Sequence, residues 1–158
     1  MKKRIVLIAF ICLIIDQITK LIITSNFDVG TGKTIIPSFF SIAYIRNTGA
    51  AWGMFSNGTL FLAVLSIFFL TFAIKYIIEL KEVTILSMFA YGLLLGGIVG
   101  NLIDRLIRKF VVDFLSFNIF SYNFPVFNVA DCFIVISIIL LIIETFIKDR
   151  KKNVYDNK

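Results

Sequence analysis

Two aspartates stand in surroundings that would drive the pKa values of their carboxyl groups apart. Asp113 lies between Val111-Val112 and Phe114-Leu115. Apolar neighbours disfavour the charged carboxylate and raise its pKa if the residue is buried, whereas an exposed turn residue titrates normally. Asp131 follows Asn128-Val129-Ala130 and opens an apolar run. With Asn128 as N-cap, Asp131 falls at the third helical position, where the helix dipole favours an anion; plain capping also accounts for it. If the two meet, one has reason to hold a proton and the other to stay ionised. Those are the working parts of aspartic proteolysis, in which the pair activates water and protonates the leaving amine. The sequence alone does not bring them together.

Other polar residues sit where lipid is expected, at roughly 2.5–3.5 kcal/mol for each intramembrane ion, so each needs a reason. Asp16 and Lys20, four residues apart, can pair along one helix face. Asn101, Asp104 and Arg105 share a face directly after Gly92, Gly96 and Gly100, with Gly97 beside them. The glycine spacing predicts a smooth stripe for close helix approach. The polar face after it either lines a site or solvates a helix end.

The chain has no histidine, which removes Ser-His-Asp and Cys-His catalysis and His-ligated metal sites. Cys12 and Cys132 lie in apolar runs and read as small buried hydrophobes, not as a disulfide. No metal or cofactor is expected. A small transporter or proton channel would also use intramembrane Asp, Arg and Asn, but here the polar groups gather at one end of the spans. A Ser-Lys hydrolase with Lys20 as base lacks a serine in any motif that nominates it.

The elements that must position these residues follow from composition. Of 158 residues, 59% are hydrophobic and 16% charged, against about 45–50% and about 25% in soluble domains. The chain reads as one integral membrane domain over residues 1–158. Stretches 5–23, 59–78, 84–103 and 129–147 approach the roughly 20 apolar residues needed to cross the hydrocarbon. The fold class expected is therefore an all-α membrane protein with four transmembrane helices. The first stretch starts like a signal peptide, but no small-x-small site follows, so it reads as a retained helix.

The net charge of +6 is concentrated in Lys2-Lys3-Arg4 and Lys148-Asp149-Arg150-Lys151-Lys152. Such clusters are cytoplasmic anchors attracted to anionic lipid, and no nucleic acid is implied. Four spans then put both termini in the cytoplasm and the polar helix ends near the outer leaflet. Residues 24–58, with Gly30, Gly32, Pro37 and a partly alternating run from Phe39 to Ile45, predict short strands of a small extramembrane lid or platform. Residues 104–128 read as an outer loop whose Phe114, Phe117, Phe120, Tyr122, Phe124 and Phe127 form an aromatic belt.

Five segments taken in order resemble the lipoprotein signal peptidases (signal peptidase II) of bacteria. They are Asp16-Gln17-Ile18-Thr19-Lys20, Arg46-Asn47-Thr48-Gly49-Ala50-Ala51-Trp52-Gly53, Gly100-Asn101-Leu102-Ile103-Asp104-Arg105, Val111-Val112-Asp113-Phe114, and Phe127-Asn128-Val129-Ala130-Asp131. Any one of them is a weak signal; five in register over nearly the whole chain are specific. The resemblance implies an aspartyl peptidase of the bacterial cytoplasmic membrane, with a β-cradle and a short outer helix or loop; a monomer is expected. It implies cleavage of prolipoproteins just before a cysteine that already carries diacylglycerol. It makes Asp113 and Asp131 the catalytic dyad. Asn47, Asn101, Asp104, Arg105 and Asn128 become polar residues around substrate and dyad, and Asp16 with Lys20 a supporting pair. By the same resemblance Trp52 belongs to the cradle near the substrate, and Arg105 is a ligand for a substrate backbone or acyl carbonyl.

Overall fold

A computed structural model describes residues 1–50, 54–120 and 122–156; Trp52 and its expected place in the cradle lie outside them. The four apolar stretches form four long helices: α1 (Lys2–Asn26), α2 (Thr59–Glu79), α3 (Ile85–Ile107) and α4 (Val129–Asp156). Even the shortest, with 21 residues, is about 30 Å long at 1.5 Å per residue, enough to cross the hydrocarbon. Their most apolar windows have mean hydropathies of 1.8 to 2.5. The lowest value belongs to α3, whose window is half buried, while the others are 17–22% buried. So α3 is the central helix, packed against the other three. The rest turn side chains such as Phe10, Phe68, Phe72 and Phe146 outward, which a bilayer solvates and water would not.

The glycine stripe does what its spacing predicts. A Cβ on Gly96 would lie 2.5 Å from Cys12 Cβ, one on Gly100 2.5 Å from Asp16 Oδ2, and one on Gly97 2.6 Å from the Ala130 carbonyl oxygen. Only hydrogen fits there, so α1 and α4 close in on α3 at the level of the polar residues.

At the other end of the bundle Thr84 caps α3, and its hydroxyl and the Ser87 hydroxyl each accept the other's backbone N–H, at 3.0 and 2.9 Å. The Thr84 hydroxyl also donates to Glu144 Oε1 at 2.8 Å, and Glu144 pairs with Lys148 at 2.8 Å. Lys2 donates to the Ile78 carbonyl at 2.7 Å. These contacts tie α3 to α4 and α1 to α2 where capping leaves carbonyls and hydroxyls to satisfy.

An antiparallel sheet of four strands covers the opposite end, in the order β1 (Gly32–Ile36), β2 (Phe40–Asn47), β3 (Val111–Ile119), β4 (Tyr122–Asn123). The strands expected near Phe39–Ile45 are β1 and β2. The segment read as an outer loop behaves differently. Helix α3 runs on to Ile107, and β3 then enters the sheet, where Val111, Val112 and Phe114 are buried. Two β-branched residues and an aromatic suit a half-buried strand, and Val112 and Phe114 pack with Ile23 and Tyr44 over the end of α1. The aromatic-belt reading divides accordingly. Phe114 is core, Phe117 stacks between Phe40 and Phe127 with centroids 4.7 and 5.7 Å away, and Phe120, Tyr122 and Phe124 stay exposed. Among the described residues every helix is one of the four long ones.

Candidate active site

β3 and the start of α4 deliver the two aspartates to one place. β3 is held on one edge by β2, with Ile45 opposite Asp113. On its other edge the chain returning toward α4 accepts the Phe114 and Leu115 amides at the Phe127 carbonyl, 2.9 and 2.8 Å. The next residue, Asn128, caps α4. Its side-chain oxygen accepts the Asp131 N–H at 3.1 Å, and Asp131 Oδ2 accepts the Asn128 N–H at 3.1 Å. Asp131 therefore caps with Oδ2, as its position suggested, and its other oxygen faces Asn101. Asp113 is not an exposed turn residue: it lies in a strand and is 2% exposed.

Three amides hold the carboxylates. Asn47 donates to Asp113 Oδ2 at 2.8 Å and Asn128 to Asp113 Oδ1 at 2.7 Å. Asn101 donates to Asp131 Oδ1 at 2.7 Å. Asn128 also donates to Asn101 Oδ1 at 3.2 Å, so an amide chain links one aspartate to the other. Burial pushes the Asp113 carboxyl up, and the negative charge of Asp131 pushes it further. Donation from Asn47 and Asn128 pulls the other way, and the balance leaves it at about 7. A carboxyl at that value exchanges its proton near neutral pH.

Behind the amides lies a buried ion cluster. Lys20 contacts Asp16 and Asp104 at 3.0 Å each, and all three side chains are fully enclosed. It also donates to Asn101 Oδ1 at 2.9 Å, so its three donors are all taken. A Lys20 so placed is unsuited to the role of free general base that a Ser-Lys hydrolase would ask of it. Asp16 Oδ1 accepts the Ala130 N–H and Asp104 Oδ2 the Val112 N–H, both at 3.1 Å. Arg108 pairs with Asp104 and donates to Gln17 Oε1 at 3.2 Å. Gln17 in turn donates to the Gly100 carbonyl at 3.2 Å.

A cavity of about 650 Å³ opens beside the aspartates. Asn47, Asn101, Arg105, Asp113 and Asp131 line it, with Phe124–Phe127, Cys132 and Val135 as apolar walls. A second cleft of about 500 Å³ between α2, α3 and α4 shares Asn101, Arg105, Asp131 and Ile134 with the first. The expected residues thus separate into groups. Asn47, Asn101, Arg105 and both aspartates reach the cavity, Asn128 bridges behind them, and Asp104 turns away to join Asp16 and Lys20. Arg105 Nε is buried without a hydrogen-bond partner, and its NH1 reaches only the Asn101 carbonyl at 3.5 Å among the described contacts. Among the described residues no three of His, Cys, Asp and Glu gather as metal ligands would.

Gln17 and Arg108 do not stand out as cluster members in the sequence, although each had a signal. Gln17 is an amide inside an apolar helix beside Asp16, and Arg108 lies four residues after Asp104. The wall at Phe124–Phe127 had none, because only its pairing with β3 places it.

A family model described as Signal peptidase (SPase) II matches residues 8–147. Two solved structures, each described as a bacterial membrane enzyme obtained by the in meso method, are similar along almost the whole chain. The one at 2.3 Å resolution is 38% identical with a TM-score of 0.84, over 94% of this chain and 90% of the other. The one at 1.9 Å is 39% identical with a TM-score of 0.80, over 89% and 91%. Four helices able to span a membrane, a polar cleft at one end and this match agree: the chain belongs to the signal peptidase II family, multi-pass bacterial membrane peptidases that process lipoproteins.

Proposed function

We propose that this chain is an aspartic endopeptidase that removes the signal peptide from diacylglyceryl-modified prolipoproteins, cutting just before the lipidated cysteine. The observation that carries the reading is that Asp113 and Asp131, from separate elements, line one cavity and are joined by the Asn128–Asn101 amide chain. One carboxylate takes a proton from a water held between them as that water attacks the scissile carbonyl. The other, initially protonated, gives its proton to the leaving amine nitrogen. The shared proton belongs to the pair, and the burial of Asp113 favours that residue as its holder. Arg105 supplies donors to a substrate backbone or acyl carbonyl, and the chemistry needs no cofactor.

The apolar cleft between α2, α3 and α4 accommodates acyl chains and meets the polar cavity at Arg105. On this reading the site lies near the outer leaflet, both termini are cytoplasmic, and the chain acts as a single monomeric domain. The test compares cleavage of lipidated and unlipidated prolipoprotein by the wild type and by Asp113→Asn. Cleavage of the lipidated substrate by the wild type alone supports the proposal; equal cleavage by the variant sinks the dyad, and indifference to lipidation sinks the substrate.

A further inference from the structure

We infer that Lys20 is a positioning residue that fixes which way the Asn101 amide points, and so aims its N–H group at Asp131 and its oxygen at Asn128. The inference rests on the proposed dyad and adds to it a cause for its geometry. A carboxamide can sit in either of two orientations of nearly the same shape, with oxygen and NH2 exchanged, and its neighbours must choose between them. An ammonium group only donates. Lys20, fully buried and 2.9 Å from Asn101, therefore requires an oxygen facing it, which sends the Asn101 NH2 to Asp131 at 2.7 Å.

The choice then propagates. The same Asn101 oxygen accepts from Asn128 at 3.2 Å, so Asn128 must also present its NH2 on that side, where it reaches Asp113 at 2.7 Å. The Asp131 N–H, donating to the Asn128 oxygen at 3.1 Å, holds Asn128 in the same sense, so Asn101 is the amide whose orientation depends on Lys20. The charged side chains around the two amides are Asp16 and Lys20 on α1, Asp104 and Arg105 on α3, Asp113 on β3 and Asp131 on α4. Of these, Lys20 alone donates to an asparagine side-chain oxygen among the described contacts. Without it, a flipped Asn101 turns its oxygen toward Asp131 and draws the shared proton onto that carboxyl, so the pair releases it less readily.

The experiment measures kcat and KM against pH for cleavage of a diacylglyceryl-modified prolipoprotein by wild type, Lys20→Met, Lys20→Arg and Asp16→Asn/Lys20→Met. Asp113→Asn runs in parallel. The double variant guards against misfolding, since it removes the carboxylate that Lys20→Met strands while Asp104 keeps Arg108. In folded Lys20→Met or the double variant, kcat falls about a hundredfold, with a smaller change in KM. In the double variant, where loss of the Asp16 charge offsets loss of the Lys20 charge, the alkaline limb moves up by about one pH unit, as loss of a hydrogen bond to a carboxylate requires; in Lys20→Met the missing positive charge adds to the shift. Lys20→Arg, also donor-only, keeps the wild-type limb. A wild-type limb in the folded methionine variants overturns the orienting role even if kcat drops, because packing alone would then explain the loss. Wild-type cleavage by Asp113→Asn overturns the dyad itself, a separate outcome.

Discussion

Asp16 reaches from α1 to accept the backbone N–H of Ala130 at 3.1 Å, fixing the residue just before Asp131. Asp104 does the same for Val112, the residue just before Asp113. Each aspartate of the proposed dyad is thus preceded by a peptide anchored to a buried carboxylate, and both anchors end on Lys20. Buried ion pairs contribute little net stability, because desolvation offsets the attraction. Here the cluster has another consequence, since it ties α1, α3, β3 and α4 to one point and limits how far the two carboxyls of the proposed dyad can drift apart.

Breaking that anchor should be costly. Asp16→Ala removes the acceptor for Ala130 and leaves Lys20 one partner short, and an expected loss is about 3–5 kcal/mol, as for other buried pairs cut on one side. Asp16→Asn keeps an oxygen for the Ala130 N–H and should lose less. Chemical unfolding in detergent ranks the two; an alanine variant as stable as the wild type would contradict the anchoring role.

Replacing either aspartate of the proposed dyad should separate activity from folding. Asn has the shape of Asp, and at position 131 its oxygen still accepts the Asn128 N–H, so the α4 cap survives in Asp131→Asn. Loss of proton transfer should lower kcat by about 10²–10⁴-fold in each variant, with thermal midpoints near that of the wild type. Initial rates on lipidated prolipoprotein alongside melting curves check this. Variants that melt early and cleave normally when folded would show that the carboxyls matter for structure only.

Much of this site was legible because its chemistry and its capping use the same local grammar. Asn128 and Asp131 announce a helix start three residues apart, and the glycines at 92, 96 and 100 announce a tight helix contact. Asp113 was ambiguous because burial is a property of the sheet, and β3 pairs with β2 from more than 60 residues earlier. The phenylalanines that suggested a loop at the headgroups divide between core and surface for the same reason, since strand register decides which face each takes. Asp104 and Arg105 share a helical face by spacing, yet one turns to Lys20 and the other to the cavity, a difference that a helical wheel does not resolve.

The pH dependence follows from Asp113. Its carboxyl sits at about 7 in the folded protein, against 3.8 ordinarily, with burial as the first cause. A raised acid favours the protonated form, so its contribution to stability is fully present below about pH 3.8 and is lost as the pH climbs to about 7. The catalytic rate should fall over the upper part of that window, as the pair loses its shared proton. Asn47 donates to the ionised form, so Asn47→Ala should move the limb to higher pH. Steady-state rates between pH 5 and 9, taken here as a practical range of about four units around the limb, provide the check. A flat profile would count against the assignment, and a downward shift in Asn47→Ala would count against the sign of the hydrogen-bond effect.

Two glycines of α3 should respond differently to the same added methyl group. At Gly92 a Cβ meets Ile8 side-chain atoms at 2.5 and 2.6 Å, near the end of the bundle away from the aspartates. At Gly97 it meets the Ala130 carbonyl oxygen at 2.6 Å, a backbone atom next to Asp131 that no rotamer can clear. Both Gly92→Ala and Gly97→Ala overpack a close contact and should cost about 1–3 kcal/mol. Only Gly97→Ala must also push the first turn of α4, and a displacement near 1 Å at a reacting group can cost about a hundredfold in rate. The expected pattern is similar destabilisation with kcat lowered in Gly97→Ala and kept in Gly92→Ala. Equal kcat in the two folded variants would mean that the start of α4 yields without moving Asp131, and that the aspartates are held by the sheet and the ion cluster instead of by helix packing.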